Sequence, residues 1–319
     1  MNLTVQDQIT LGLVGGVIVV LAVATIVGQL LRRRADGGFD TTAVEAFNLR
    51  VQAWWLMCSA LAATFLVHRL ATVILFGLLS FWALREFITL TPTRTADHRA
   101  LFWVFFLFTP LQYALLGMGR EQYGLFTVLI PVYAFLFIPA RIALAGDYRR
   151  FLERSAKIQA GLMISVYCLS HAPALLFLDI PGYEGQNALL LFFFVLVDQM
   201  HDVMQYVWER LLGRRVIAPA VSARRTWEGF VGGALSATLL GSLLWWATPF
   251  NPWQAGAMSL LIAVMGFAGA LTMSAIKRDR GVPDYGTLIV GHVGVLDRLD
   301  SLCFAAPVFF HVTRYFFAV

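Results

Sequence analysis

The sequence predicts an all-α protein: a polytopic integral membrane helical bundle of about ten transmembrane helices with cytoplasmic active-site loops. Three observations predict it. Of 319 residues, 59% are hydrophobic and 13% charged, and mean hydropathy is +0.72; a soluble domain is about 45–50% apolar and about 25% charged. Apolar runs long enough to span a bilayer recur along the chain. Lys and Arg concentrate in alternate connections between those runs. The composition excludes a disordered chain, an ordinary nucleic-acid-binding domain and a typical cytosolic enzyme. Cys58, Cys168 and Cys303 sit in apolar runs without C-x-x-C spacing, so neither a disulfide framework nor a zinc site is indicated. In a membrane protein a pI near 9.3 marks cytoplasmic loops and phosphate-bearing ligands rather than nucleic acid.

A spanning helix needs about 20 mostly apolar residues to cross about 30 Å of hydrocarbon. Ten segments qualify: 9–31, 52–67, 70–91, 101–118, 124–141, 158–178, 188–208, 230–248, 256–276 and 301–318. The second is short enough to be tilted or re-entrant. Residues 1–31 lack a positive n-region and are followed by Arg32, Arg33 and Arg34, so they read as an anchor with an outside N-terminus, not a cleaved signal. Residues 40–51 fit a short interfacial helix. With the N-terminus outside, the inside connections hold 20 of the 24 Lys and Arg residues. Arg69 and Arg120 fall outside, and Arg85 and Arg314 lie within spans. That bias follows the positive-inside rule and puts the C-terminus outside as well. Gly12-x-x-x-Gly16 and Gly229-x-x-x-Gly233 have the spacing of close helix packing. The chain reads as one membrane domain, with N-terminal spans and basic loops over 1–157 and a C-terminal region carrying the chemistry over 158–319.

Polar residues concentrate in two inside stretches, Asp198 to Gly233 and Ser274 to Ser301. Asp198 and Asp202, four residues apart, share a helix face. A charge at the bilayer centre costs at least about 2.5–3.5 kcal/mol, so the pair is either functional or held at the interface by solvent or Arg210. Asp297 and Asp300 either offset a helix dipole, worth about 0.3–1 kcal/mol each, or join Asp284 in a magnesium site, since Mg²⁺ takes carboxylate and water oxygens and shares them with phosphates. Lys277, Arg278, Arg280 and Arg298 are the cations such a site needs. Gly281, Gly286, Gly291 and Gly294 suit either backbone approach to a ligand or a tight re-entrant turn. No P-loop, dinucleotide fingerprint, G-x-S-x-G or H-E-x-x-H is present.

These residues resemble the signature of the phosphatidate cytidylyltransferase (CDP-diacylglycerol synthase) family. Ser274, Lys277, Arg278, Asp284, Gly286, Ile289, His292, Gly294, Asp297, Arg298 and Asp300 match it in register. Upstream, Asp202 and Tyr206, then Ala218, Pro219, Ser222, Thr226, Trp227, Glu228 and Gly229, match a second pattern. The departures mark a divergent branch. Pro283 stands for Lys, Val290 for a small residue or Pro, Val293 for Gly, Arg225 for Lys and Ala223 for Pro, while Val203 and Gln205 replace Ser/Thr and Ala.

The resemblance implies transfer of a cytidylyl group from CTP to phosphatidate, giving CDP-diacylglycerol and pyrophosphate in phospholipid biosynthesis. It implies Mg²⁺, with one or two metal ions at Asp202, Asp284 and Asp297. Lys277, Arg278, Arg225 and Arg298 would clamp phosphates. Ser222, Thr226 and Trp227 would shape the nucleotide pocket. His292 would orient a carboxylate, bind a phosphate or make a structural hydrogen bond. Asp300 would lie behind the metal or cap a helix, and His201, without a family counterpart, reads as structural. The lipid stays in the membrane, the site faces the cytoplasm of a plasma membrane, nucleic acid is not a partner, and the family suggests a homodimer. The alternatives are a CTP-dependent kinase of polyprenol or another isoprenoid alcohol, a transporter, and a lipid-binding homologue without activity.

Overall fold

In lipid an apolar segment satisfies its backbone by closing hydrogen bonds within itself, which makes the helix the default for every span. The computed structural model describes residues 69–90, 93–282 and 294–319, with Gly15, Ala22, Thr25, Ile26 and Gln29 as single helical positions. The expected spans at 9–31 and 52–67, the interfacial helix, Asp284 and His292 lie outside the continuously described segments. The chain divides into two units, Met1–Thr72 and Val73–Val319.

Among the described residues eight long helices follow one another. They are α1 (Arg69–Leu90), α2 (Thr95–Gly117), α3 (Arg120–Ala143), α4 (Phe151–Phe177), α5 (Asn187–Leu212), α6 (Trp227–Leu243), α7 (Pro252–Arg280) and α8 (Leu296–Phe317). Six of them, α1 to α5 and α7, are long and apolar enough to cross a membrane. Helix α6 has 17 residues, and α8 carries Asp297, Arg298, Asp300 and Arg314. Between α5 and α6 the strands β1 (Val216–Ala218) and β2 (Ser222–Thr226) form an antiparallel hairpin, with Val216 opposite Thr226 and Ala218 opposite Ser222.

Side-chain ties show that the connections alternate between two faces. On the hairpin face, Arg94 Nη1 reaches Asp147 Oδ2 at 3.1 Å, and Arg278 Nε donates to the Val221 carbonyl at 3.3 Å. On the opposite face, Arg120 pairs with Asp179 at 2.8 Å, and the Val319 amide donates to the Asp179 carbonyl at 3.0 Å.

Helices α2, α3 and α4 each contain a π-helical turn, at Val104–Phe108, Leu129–Ala134 and Met163–Cys168. Pro131 lies inside the second and Pro110 just beyond the first. Proline has no N–H to donate, and a widened turn lets neighbouring groups take up the freed carbonyls. The Val104 carbonyl accepts twice at the end of the first such turn, from the Thr109 backbone N–H and from Thr109 Oγ1 at 2.9 Å.

The last four helices pack through small residues. A Cβ on Gly229 would strike Glu209, one on Gly232 would strike Trp208, and one on Gly233 would lie 2.9 Å from the Gln205 backbone. The spacing Gly229-x-x-x-Gly233 therefore does what it predicts: it brings α6 onto α5. Gly241 faces Ser259 and Gly256 faces Ser242 between α6 and α7, while Gly269 sits under Asp300 and Phe304 of α8. Leu235, Leu239 and Leu243 on the other side of α6 are exposed, as a lipid-facing stripe would be.

Candidate active site

Helix α5 runs out of the apolar core into its polar end, and residues three and four apart line one stripe. Asp198, His201 and Gln205 on that stripe are buried, at 0%, 0% and 3% exposure. Asp198 Oδ2 accepts from Ser301 Oγ of α8 at 2.8 Å and from Gln199 Nε2 at 3.1 Å. Among the described residues its Oδ1 has no hydrogen-bond partner, nor has either ring nitrogen of His201, nor Gln205 Oε1. Gly266 of α7 makes room for this carboxylate, since a Cβ there would stand 2.9 Å from Asp198 Oδ1. Asp202 lies one turn on, half-buried, with its Oδ1 3.7 Å from His201 Nδ1.

Helix α8 supplies the opposing acids. Asp297 stands in its first turn and accepts from Lys277 Nζ of α7 at 2.7 Å. Asp300 follows one turn later, and its Oδ1 accepts from the Ser301 amide at 2.8 Å. Asp300 is in electrostatic reach of Asp202, Arg225 and Asp297, and Asp198 is in reach of Asp202 and Asp300. Asp300 is thus the carboxylate that links the two motifs. Among the described residues none of Asp198, Asp202 and Asp300 forms an ion pair with Lys or Arg.

The hairpin lies over the same end. Arg225 on β2 places its guanidinium 5.6 Å from the Phe267 ring of α7. Glu228 accepts from the backbone amides of Arg214 and Arg215, each at 3.1 Å, which fastens the hairpin to α6. Thr226 caps α6, its Oγ1 accepting from the Gly229 amide at 3.1 Å. Such a cap is worth about 1 kcal/mol. Trp227 is exposed and packs edge-on against Phe230. Ser222 opens β2, and Arg278 anchors the hairpin turn through Val221. Arg298 follows Asp297 on α8, and its amide donates to the Val295 carbonyl at 3.0 Å.

The structure therefore brings Asp202, Arg225, Lys277 and Asp297 to one end of the α5–α8 bundle. Among the described residues no three His, Cys, Asp or Glu side chains converge closely enough to hold a metal ion. The chemistry of the donors still suits a hard cation: several carboxylates, one with an orphaned buried oxygen, meet few cations. Sequence reasoning missed Glu86. It lies in α1, is 5% exposed, and accepts from the Val295 and Leu296 amides at the start of α8 at 3.0 and 2.8 Å. Its signal was an acid, next to Arg85, inside a mostly apolar span.

The helical bundle with an acid-and-base cluster at one end defines a membrane-embedded class of protein, and comparison fixes the family. A model described as "Cytidylyltransferase family" matches residues 48–316, and the chain belongs to that family. Over 302 residues, 92% of this chain and 95% of the relative, it is 38% identical to "Uncharacterized protein YnbB" of Escherichia coli (strain K12). Over 126 residues it is 34% identical to a protein named phosphatidate cytidylyltransferase from Staphylococcus saprophyticus, a match covering 39% of this chain and 48% of that relative. A protein of the same name from Staphylococcus aureus (strain COL) is 32% identical over 126 residues, again 48% of its length. The chain thus aligns with about half the length of these named enzymes.

Proposed function

We propose that this chain transfers a cytidylyl group from CTP to the phosphate of phosphatidate, releasing pyrophosphate and forming CDP-diacylglycerol. The observation that carries the reading is the meeting of Asp202, Asp297 and Asp300 with Lys277 and Arg225, from motifs distant in sequence, at one end of α5, α7 and α8. The family and the partial relatives support nucleotidyl transfer. The matched motif residues support phosphatidate as the acceptor.

In the reaction, an ionised oxygen of the lipid phosphate attacks the α-phosphorus of CTP. The bond from that phosphorus to the α,β-bridging oxygen breaks, and pyrophosphate leaves with the electron pair. No strong general base is needed, because a phosphate monoester is already ionised near neutral pH. What the site must supply is positioning and charge neutralisation. Lys277, Arg278, Arg225 and Arg298 hold phosphate oxygens, with Lys as a point charge and Arg as a fork. Ser222, Thr226 and Trp227 border the nucleotide. Asp202 and Asp297 would hold Mg²⁺, with Asp284 as the third ligand read from the motif and Asp300 within electrostatic reach of the first two. An ion held there would supply positive charge against the charge that develops in the transfer.

The bias of Lys and Arg toward the hairpin face supports a cytoplasmic site, where CTP is available. The lipid tails would remain between helices, with the headgroup at the level of Lys277.

The test is pyrophosphate release from CTP in detergent, with phosphatidate and Mg²⁺. Wild type turns over, and Asp297→Asn loses at least about 10²-fold in kcat, the scale of removing one group that stabilises developing charge. Equal turnover in the two proteins, or release of CDP in place of pyrophosphate, would overturn the reading.

A further inference from the structure

We propose that Glu86 of α1 is a positioning residue for the site: it fixes the first turn of α8 and, through it, the Asp297–Lys277 pair. The inference rests on the function proposed above for its kinetic arm and on the structure alone for its structural arm. The first amides of a helix have no partner within it and need an acceptor from elsewhere. Two amides at the start of α8 find their acceptor in one side chain on a helix about 210 residues earlier in the chain: Glu86 Oε1 receives the Val295 N–H at 3.0 Å and Oε2 the Leu296 N–H at 2.8 Å. A carboxylate at a helix N-terminus also sits at the favourable end of the dipole.

The carboxylate is itself held. Trp82, one turn earlier on α1, donates its indole Nε1–H to Glu86 Oε1 at 3.1 Å. Glu86 is 5% exposed and Leu296 0%, so water does not readily replace the Leu296 bond, while the Val295 bond is half-buried. Leu296 is followed directly by Asp297, which accepts from Lys277 at 2.7 Å. A shift at the start of α8 therefore reaches Asp297 with no intervening flexible residue. Nucleotidyl transfer is sensitive to such shifts, because a displacement of about 1 Å can lower a rate about 10²-fold.

The experiment compares wild type, Glu86→Ala and Glu86→Gln as full-length chains in detergent, with two readouts. Hydrogen exchange followed at the Val295 and Leu296 amides reads the cap without reference to activity. Pyrophosphate release with phosphatidate, CTP and Mg²⁺ gives kcat and KM, normalised to folded protein by size-exclusion profile. In Glu86→Ala both amides exchange at least about tenfold faster while later α8 amides keep their protection, and kcat falls by about 10–100-fold with KM for CTP little changed. Glu86→Gln keeps one acceptor oxygen and falls between the two, and it carries both readouts if the alanine protein does not fold. Unchanged exchange at Val295 and Leu296, or a normal kcat per folded molecule, would overturn the inference. A wild type that turns over no CTP would remove the proposed function instead, and the exchange arm would then decide alone whether Glu86 holds α8.

Discussion

Two clusters of charge occupy the hairpin face, and they are built on opposite plans. At the junction of α2, α3 and α4, acids and bases are matched. Arg154, 5% exposed, pairs with the 1% exposed Asp97 at 2.9 Å and with Asp147 at 3.0 Å, and Arg94 reaches Asp147 at 3.1 Å. At the end of α5, α7 and α8, acids outnumber the cations that meet them. Asp198, Asp202 and Asp300 form no ion pair with Lys or Arg among the described residues, and Asp198 Oδ1 has no hydrogen-bond partner there. A matched cluster fastens helices together and leaves nothing over for a ligand. An unmatched one is destabilising by itself and makes sense where a cation or a phosphate-bearing substrate completes it.

The largest test breaks the matched cluster. Arg154→Leu strands Asp97 as a buried, unpaired carboxylate, a change worth about 3–5 kcal/mol. It lowers the melting temperature in detergent sharply, yet turnover per folded molecule stays near wild type, because the unmatched cluster is untouched. Loss of kcat at full folding would show that the two clusters are not separate in function.

A smaller effect sharpens the other side of the comparison. Gly233→Leu forces a side chain against the Gln205 backbone, and overpacking of this kind costs about 1–3 kcal/mol. Here the melting temperature drops less than for Arg154→Leu, while kcat drops more, because α5 carries Asp202. Reversal of that order would mean that the small-residue packing of α5 and α6 does not govern the site.

The smallest effect is a pH dependence of the matched cluster. The Arg149 backbone N–H first, and then the Arg94 guanidinium, hold the Asp147 carboxyl below its ordinary value of 3.8. A carboxyl depressed in the folded state stabilises the protein above its unfolded value, and that contribution disappears as pH falls through the folded one. Wild type therefore melts slightly higher than Asp147→Asn at neutral pH, and the two curves converge as pH drops below about 3.8. A gap that persists in acid would mean that Asp147 acts by shape and not by charge.

Much of this was legible in the residues. Apolar length located α1 to α8, because a backbone in lipid has so few ways to satisfy itself, although α2 and α4 begin at Thr95 and Phe151, well before the apolar runs expected from 101 and 158. The Gly229-x-x-x-Gly233 spacing foretold the α5–α6 contact. The motif register marked Asp202, Lys277, Asp297 and Arg298. What the residues did not reveal depends on contacts distant in sequence. From its spacing alone Asp300 either offsets a helix dipole or joins a magnesium site, and only the structure puts it within electrostatic reach of Asp202 and Arg225. Thr226 and Glu228, matched as motif positions, also cap and fasten α6. The π-helical turns of α2 to α4 have no sequence mark beyond nearby proline, and the turn at Met163–Cys168 lacks even that in its own residues.

By itself the sequence determined that this protein is a membrane-spanning helical bundle, which end of each helix is charged, and which residue types are available for phosphate chemistry. Hydropathy and charge asymmetry are local properties, so they can be read along the chain. Only the tertiary structure decided which acids share a neighbourhood, which of them are neutralised, and that a glutamate on α1 anchors the start of α8. Those outcomes depend on how closely helix backbones approach, and that is set jointly by glycines and side chains far apart in sequence.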